Sequence, residues 1–271
     1  MTLVSVVLDA GRPRLELLGG PLAPRLITAD ATGAKVALVA TTALLLGGDQ
    51  VEIDVRVGPG AWLEIVETAG TVAYDAEGER STWTVRVDVA TGGLLLWHGE
   101  PFVVSRGANV LRDSRFDVAP GAAVCLRETV VLGRSGEQAG ALRLRNHVGT
   151  AGTPLLVEDL DLTDAATRSS PGILGAATVL DTVTALGDGQ DWSARVDAGS
   201  RFPLDGGAGT VARVLRGGLA GSPGATWWAA GSRAARERHR AAVVSDASPA
   251  QQFSVNGGRV RTPEPARSAP R

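Results

Sequence analysis

Short stretches in which apolar and polar residues alternate recur through the first two thirds of the chain. VSVVLDA, RLELLG, KVALVATTALLLGG, QVEIDVRVG, AWLEIVET, STWTVRVDVA, GLLLWHG, VLRDSRFDVAPGAAVCLRETVVLG, ALRLRNHV and PLLVEDLDL mostly follow a period of two, the pattern of half-buried strands. Almost every gap between them carries Gly, Pro, Asp or Ser, which close turns for separate physical reasons. This spacing predicts an all-β architecture to roughly residue 163. Three segments also share one plan of strand, small-residue turn and strand. Their turns GPGA, ATGG and PGAA fall at 58–61, 90–93 and 120–123, intervals of 32 and 30 residues. Regular recurrence of one strand pair predicts stacked layers, because each unit needs a neighbour to cover its apolar face. A Greek-key sandwich would also hold these strands.

Beyond residue 163 the texture changes. TDAATRSSPGILGAATVLDTVTALG predicts a short helix opening near Asp164, a break at Pro171 and a resumption. From Ser222, SPGATWWAAGSRAARERHRAAVV predicts a longer helix, with Ser-Pro at its start, Trp227 and Trp228 as anchors and Gly231 as its weak point. The expected fold class is mainly β, a stacked β-layer or β-solenoid-like fold with a small helical portion toward the C-terminus. Residues 1–250 are expected to form one domain, and the Pro- and Arg-rich residues 251–271 a mobile tail.

Composition narrows the function. The 271 residues carry a formal net charge of −2, which implies no general pull toward nucleic acid or an anionic membrane. Cys125 is the only cysteine, so no internal disulfide is possible, and its apolar neighbours in AAVCL predict a buried, inert thiol. No basic leader precedes an apolar stretch at the start and no run reaches about 18 apolar residues, so an unexported, cytoplasmic protein is expected. A mean hydropathy of +0.08, with Val, Leu and Ala on outward strand faces, predicts surface that a partner covers.

His98, His147 and His239 are isolated from one another, Cys125 has no CxxC partner, and neither a GxSxG elbow nor a P-loop occurs. No compact metal site, hydrolase triad or nucleotide site is therefore written locally. His98 in WHGE reads as a structural or interface residue, and Arg233, Arg236, Arg238 and Arg240 as a solvated helix face. What remains is a set of carboxylates in strand-like surroundings: Asp49 after GG, Glu100 after HG, Glu128 before TVVLGR, Glu137 at the end of GRSGE, and Glu158 in PLLVEDL. Such groups face outward or are paired, since burying an unpaired charge is too costly. Arg127, Arg134 and Arg143 are near enough in sequence to be partners. Structural ion pairs and a carboxylate-lined polar passage are both open readings. For Asp49 in LLLGGDQ the simplest role is turn chemistry beside Gly47 and Gly48. Paired carboxylates on a β-solenoid would also suit a carbohydrate-active enzyme or binding module, although one Tyr and four Phe offer little sugar-stacking surface.

The ordered set GGPLAPRL, LLLGGDQVEIDVRVGPGAWLEIVETAGTVAY, LLLWHGEPFVVSRGANVLRDSRFDV, LRETVVLGRSGEQ with LRLRNHV, and PLLVEDLDL resembles the urease accessory protein family UreD, also called UreH, over about residues 11–185. The resemblance implies a non-catalytic, β-rich stack of strands with a small helical portion. It implies that the chain binds urease apoprotein on one side and the accessory protein UreF on the other, recruits the GTPase UreG through UreF, and helps deliver nickel through an internal passage. It implies no stably bound cofactor, only nickel in transit. Carried over residue by residue, it implies passage roles for Asp49, Thr71, Glu128 and Glu158. Gly47, Gly48, Glu100, Gly133, Arg134, Gly136 and Glu137 match motif positions with partner or structural roles. Where relatives carry a Lys before the aromatic of the TxxY stretch, this chain has Val72 and Ala73 before Tyr74, so any contact of that Lys is absent or replaced.

Overall fold

The computed structural model describes residues 1–187, 196–197 and 200–246; the tail expected at 251–271 lies outside them. In chain order the strands are β1 (Thr2–Asp9), β2 (Arg12–Leu18), β3 (Leu22–Ala29), β4 (Gly33–Ala40), β5 (Gln50–Val57), β6 (Trp62–Glu67), β7 (Thr71–Ala73), β8 (Ser81–Val89) and β9 (Leu94–His98). They continue as β10 (Phe102–Val104), β11 (Asn109–Val118), β12 (Ala123–Leu132), β13 (Ala141–Thr150) and β14 (Thr153–Asp161). A four-residue helix α1 (Ala165–Arg168) is followed by β15 (Val179–Leu186), β16 (Arg201–Pro203), β17 (Gly209–Arg216) and the helix α2 (Gly224–Asp246).

Two sheets face each other. A seven-stranded sheet runs β14-β13-β11-β8-β5-β1-β2, and a ten-stranded sheet runs β16-β17-β15-β12-β9-β6-β4-β3 with β7 and β10 alongside. The central strands of both are parallel: Gln50 of β5 pairs with Thr82 of β8, Val110 of β11 with Ser81, and Asn109 with Ala141 of β13. In the other sheet Trp62 pairs with Leu94 and Leu94 with Ala123. The chain thus alternates between sheets and climbs one level per coil, a β-solenoid of about four turns closed by antiparallel strands. The recurring turns produce this geometry. Gly60, Gly92 and Gly121 each take positive φ, and the turns stack through bonds such as Gly60 N–H to Thr91 O and Ala123 N–H to Gly93 O. A side chain at these positions would strain each turn.

Between the sheets, Val51, Ile53, Val55, Trp83, Val85 and Val87 meet Leu63, Ile65, Leu95, Trp97, Val124 and Leu126, as alternation requires. The ten-stranded sheet is covered on its outer face as well. There Leu94, Leu96, Cys125, Val183, Ala185 and Ala212 pack under Trp227 and Ala235 of α2. Cys125 is fully buried, and burial pushes its thiol up to about 12, so it is inert as expected.

Two expectations are corrected. Strands do not stop near residue 163, and the helix opened by Asp164 does not resume after Pro171. Asp164 caps α1 through Thr167 N–H, but VLDTVTAL instead forms β15, buried at every position between the inner core and α2. Its β-branched residues suit that place, and being covered on both faces removes the alternation that marks other strands. Among the described residues no helix is long and apolar enough to cross a membrane.

Candidate functional site

Three cavities with mixed polar and apolar walls lie in series between the sheets. The first, with about 130 Å³ of free space, is lined by Thr68, Thr71, Tyr74, Trp83 and Glu67 among others. Glu67 also borders the second, of about 10 Å³, with Arg112, Ser114, Phe116, Leu126 and Glu128. Phe116, Leu126 and Glu128 in turn border the third, of about 20 Å³, with Asn146, Glu158, Thr182 and Arg213. The two inner cavities hold about one water molecule each. Strand phase places the side chains: Glu67 follows Leu63 and Ile65 on the inner face of β6, Glu128 follows Val124 and Leu126 on β12, and Glu158 shares the face of Leu156 and Leu160 on β14.

Each inner carboxylate has identifiable partners. Glu128 Oε1 accepts from Arg112 Nη2 at 2.7 Å. Glu158 accepts from Arg213 Nη1 and Nη2 at 2.5 and 2.9 Å, and from Asn146 Nδ2 at 3.1 Å, while Arg213 Nε donates to Thr182 Oγ1. Burial pushes the Glu158 carboxyl up, but the Arg213 fork and Asn146 outweigh it and hold the group below the usual carboxylate range. Glu67 accepts from Trp97 Nε1 at 3.1 Å and from the Glu100 N–H at 3.0 Å. Burial pushes its carboxyl up to about 7 despite the pull of the Arg112 guanidinium and these two bonds, and the Glu128 carboxylate adds to the rise.

A pH test follows for Glu67. Its folded value lies above the ordinary 4.5, so between about 4.5 and about 7 the folded state keeps a proton that the unfolded chain has lost. The stability this proton carries is complete below 4.5 and is lost as pH rises through about 7. Glu67→Gln, which cannot ionise, is expected to exceed wild type by about 1–3 kcal/mol at pH 8, the gap narrowing toward pH 5. Thermal unfolding across that range measures it; parallel curves would refute the inward, desolvated placement.

The expected site residues divide. Thr71, Glu128 and Glu158 lie along the row of cavities. Asp49 lies apart from them: its Oδ2 accepts the Leu46 N–H at 3.0 Å and its own N–H returns to Leu46 O, which makes it the closing residue of the GGD turn. Gly48 of that turn has φ of +82°, and a Cβ on Gly47 would run into Ala76 O. Gly133, Arg134, Gly136 and Glu137 form one turn after β12, buried at Gly133 and exposed at Arg134 and Gly136, closed by a bidentate Arg134–Glu137 pair at 2.9 and 2.9 Å. Glu100 joins the row only through its backbone, its side chain standing 3.7 Å from His98 Nδ1.

Of the sequence-near arginines, Arg134 pairs with Glu137 as the sequence allowed, while Arg127 pairs with Asp181 and Arg143 with Asp159. The expected solvated arginine face of α2 is only partly solvated, since Arg236 pairs with Glu64 and lies over the Trp62 ring. His98 is structural as expected, its Nε2 3.1 Å from Arg127 Nη1 and its ring edge-on to Trp228. Glu67, Arg112, Asn146 and Arg213 were not legible as site residues, although Glu67 keeps the inward phase of WLEIVET.

Coils of parallel strands around a row of separated carboxylates define a β-stacked protein with small cavities between its two sheets. Among the described residues no three His, Cys, Asp or Glu converge into a chelating group. Comparison with known proteins makes the class specific. The family described as UreD urease accessory protein matches residues 19–244, and the chain belongs to that family. It is 50% identical over 189 residues to "Urease accessory protein UreD 1" of Streptomyces griseus subsp. griseus, covering 69% of this chain and 74% of that protein. To "Urease accessory protein UreD 1" of Saccharopolyspora erythraea it is 38% identical over 204 residues, covering 71% and 77%. To "Urease accessory protein UreD" of Cupriavidus necator it is 35% identical over 148 residues, covering 53% and 51%. Members are accessory proteins, not catalysts, which removes the carbohydrate-active alternative.

Proposed function

We propose that the chain is a scaffold and metal-delivery component for urease. It binds urease apoprotein and UreF, engages UreG through UreF, and lets nickel advance through the inter-sheet passage toward the urease active site. It works in the cytoplasm, with nickel as transient cargo and no resident cofactor. The observation that carries this reading is the series Thr71, Glu67, Glu128, Glu158 inside a protein of the UreD family. Spaced oxygen donors suit a hydrated divalent cation that must be released, whereas a His and Cys cluster would hold nickel firmly.

Exposed apolar residues on the sheet edges support a partnered protein. Leu26 and Ile27 on β3, Val157 on β14 and Phe202 on β16 are about half exposed or more. An uncovered edge with apolar side chains favours association. Co-expression with urease subunits, UreF and UreG tests the reading. The chain is expected to co-purify with urease and to be required for its nickel content, and to aggregate when expressed alone. Failure to co-purify, or full nickel loading without the chain, would reject it.

A further inference from the structure

The passage carboxylates are not free, and their counter-ions come from the opposite wall. Arg112 stands on β11 of the seven-stranded sheet and reaches Glu128 on β12 of the ten-stranded sheet. Arg213 stands on β17 of the ten-stranded sheet and reaches Glu158 on β14 of the other. Two ion pairs of opposite polarity therefore cross the gap. The free space beside them is about 10 and 20 Å³, room for about one water molecule each, against the six waters that a hydrated first-row cation carries. A fully hydrated ion does not fit beside the pairs at rest, and these pairs are among the side chains that narrow the gap.

We propose that Arg112 and Arg213 are positioning residues that gate the passage: each guanidinium occupies a glutamate until cargo displaces it, and reclaims the glutamate afterwards so that the cation is not retained. The inference rests on the passage reading. With both arginines in place, Glu128 and Glu158 carry no uncompensated charge. A cation gains a carboxylate only as an arginine gives it up, so entry and release are exchanges of nearly balanced partners.

The two latches differ in strength. Arg112 makes a single bond to Glu128, its buried Nε has no partner, and its guanidinium lies 5.0 Å from the centre of the Phe102 ring. Arg213 is fixed by a fork to Glu158 and a third bond to Thr182. Removing Arg213 would leave the Glu158 carboxylate beside the Asn146 amide and the Thr182 hydroxyl, a group of oxygen donors able to keep a divalent cation.

The test uses the full chain in complex with urease apoprotein, with Ni²⁺ as the probe, followed by desalting and metal analysis. Wild type is expected to retain no nickel. Arg213→Gln is expected to retain about one Ni²⁺ per chain, bound at least tenfold more tightly in equilibrium dialysis, with urease loading slowed about tenfold; Arg112→Gln is expected to show the same with weaker retention. Adding Glu158→Gln to Arg213→Gln should abolish the retention. A folded Arg213→Gln that retains no more nickel than wild type overturns the proposal. Should that variant fail to fold, Arg213→Lys keeps the charge without the fork and is expected to slow loading without retention; loading at the wild-type rate overturns the proposal. If the arginine variants behave as wild type while Glu128→Gln and Glu158→Gln still lower urease nickel, the passage stands and the gate falls. If the glutamate variants are also indistinguishable from wild type, both fall.

Discussion

Asp181→Ala is expected to destabilise the protein by about 3–5 kcal/mol, the largest loss from any single polar side chain in the structure. Asp181 is fully buried on β15 at the seam between the ten-stranded sheet and α2. Its Oδ1 accepts from Arg127 Nε and Thr129 Oγ1, each at 3.0 Å, and its Oδ2 accepts from Arg127 Nη2 at 3.1 Å and from Ser222 Oγ. Arg127 also donates to His98 Nε2, so it depends on an unprotonated imidazole, and burial and the Arg127 charge both hold His98 below its ordinary value. Deleting the carboxylate strands a mostly buried guanidinium and leaves two hydroxyl groups without their acceptor. Asp181→Asn keeps the shape and part of the bonding, so its cost should be smaller, about 2–3 kcal/mol. Chemical denaturation of the two variants measures the difference. Equal and small losses would mean that the charge of Asp181 contributes little and that apolar packing under Trp227 holds α2 alone.

How far the chain could be read depends on whether a feature is local. The coil repeat was legible because each level needs its own turn glycine, so GPGA, ATGG and PGAA mark the levels that the strand registers later confirm. The helix at α2 was legible for a similar reason, from Ser222-Pro223 and a run of Ala and Arg. β15 was hidden because a strand covered on both faces has no alternation, and a nearby cap at Asp164 suggested helix. The row of inter-sheet cavities was half legible. Glu67, Glu128 and Glu158 obey the inward phase of their strands, but phase alone does not say which face is inward where both carry apolar residues. Their partners were out of reach: Arg213 is 55 residues from Glu158 and meets it only because two different sheets face each other. Proximity in sequence pointed to Arg127, Arg134 and Arg143; Arg134 does serve Glu137, whereas Arg127 and Arg143 serve other carboxylates. Asp49 shows the converse, since the bland reading of GGD as a turn describes its observed bonds.

The second large effect is a loss of nickel transfer on plugging the passage, and it is the most direct test of the central claim. Thr71 lines the largest of the three cavities, whose free space of about 130 Å³ accepts a small thiol adduct. Cys125 is fully buried with its thiol pushed up to about 12, so a cysteine placed at Thr71 is the only reactive one on this chain. Thr71→Cys, capped with a reversible methanethiosulfonate reagent before assembly with urease and its partners, leaves the outer surfaces of the stack unaltered. Nickel appearing in urease over time is the measurement. The account predicts an intact complex with transfer reduced at least about tenfold while capped and restored when reductant removes the cap. Transfer at the uncapped rate through a fully capped, intact complex would contradict it.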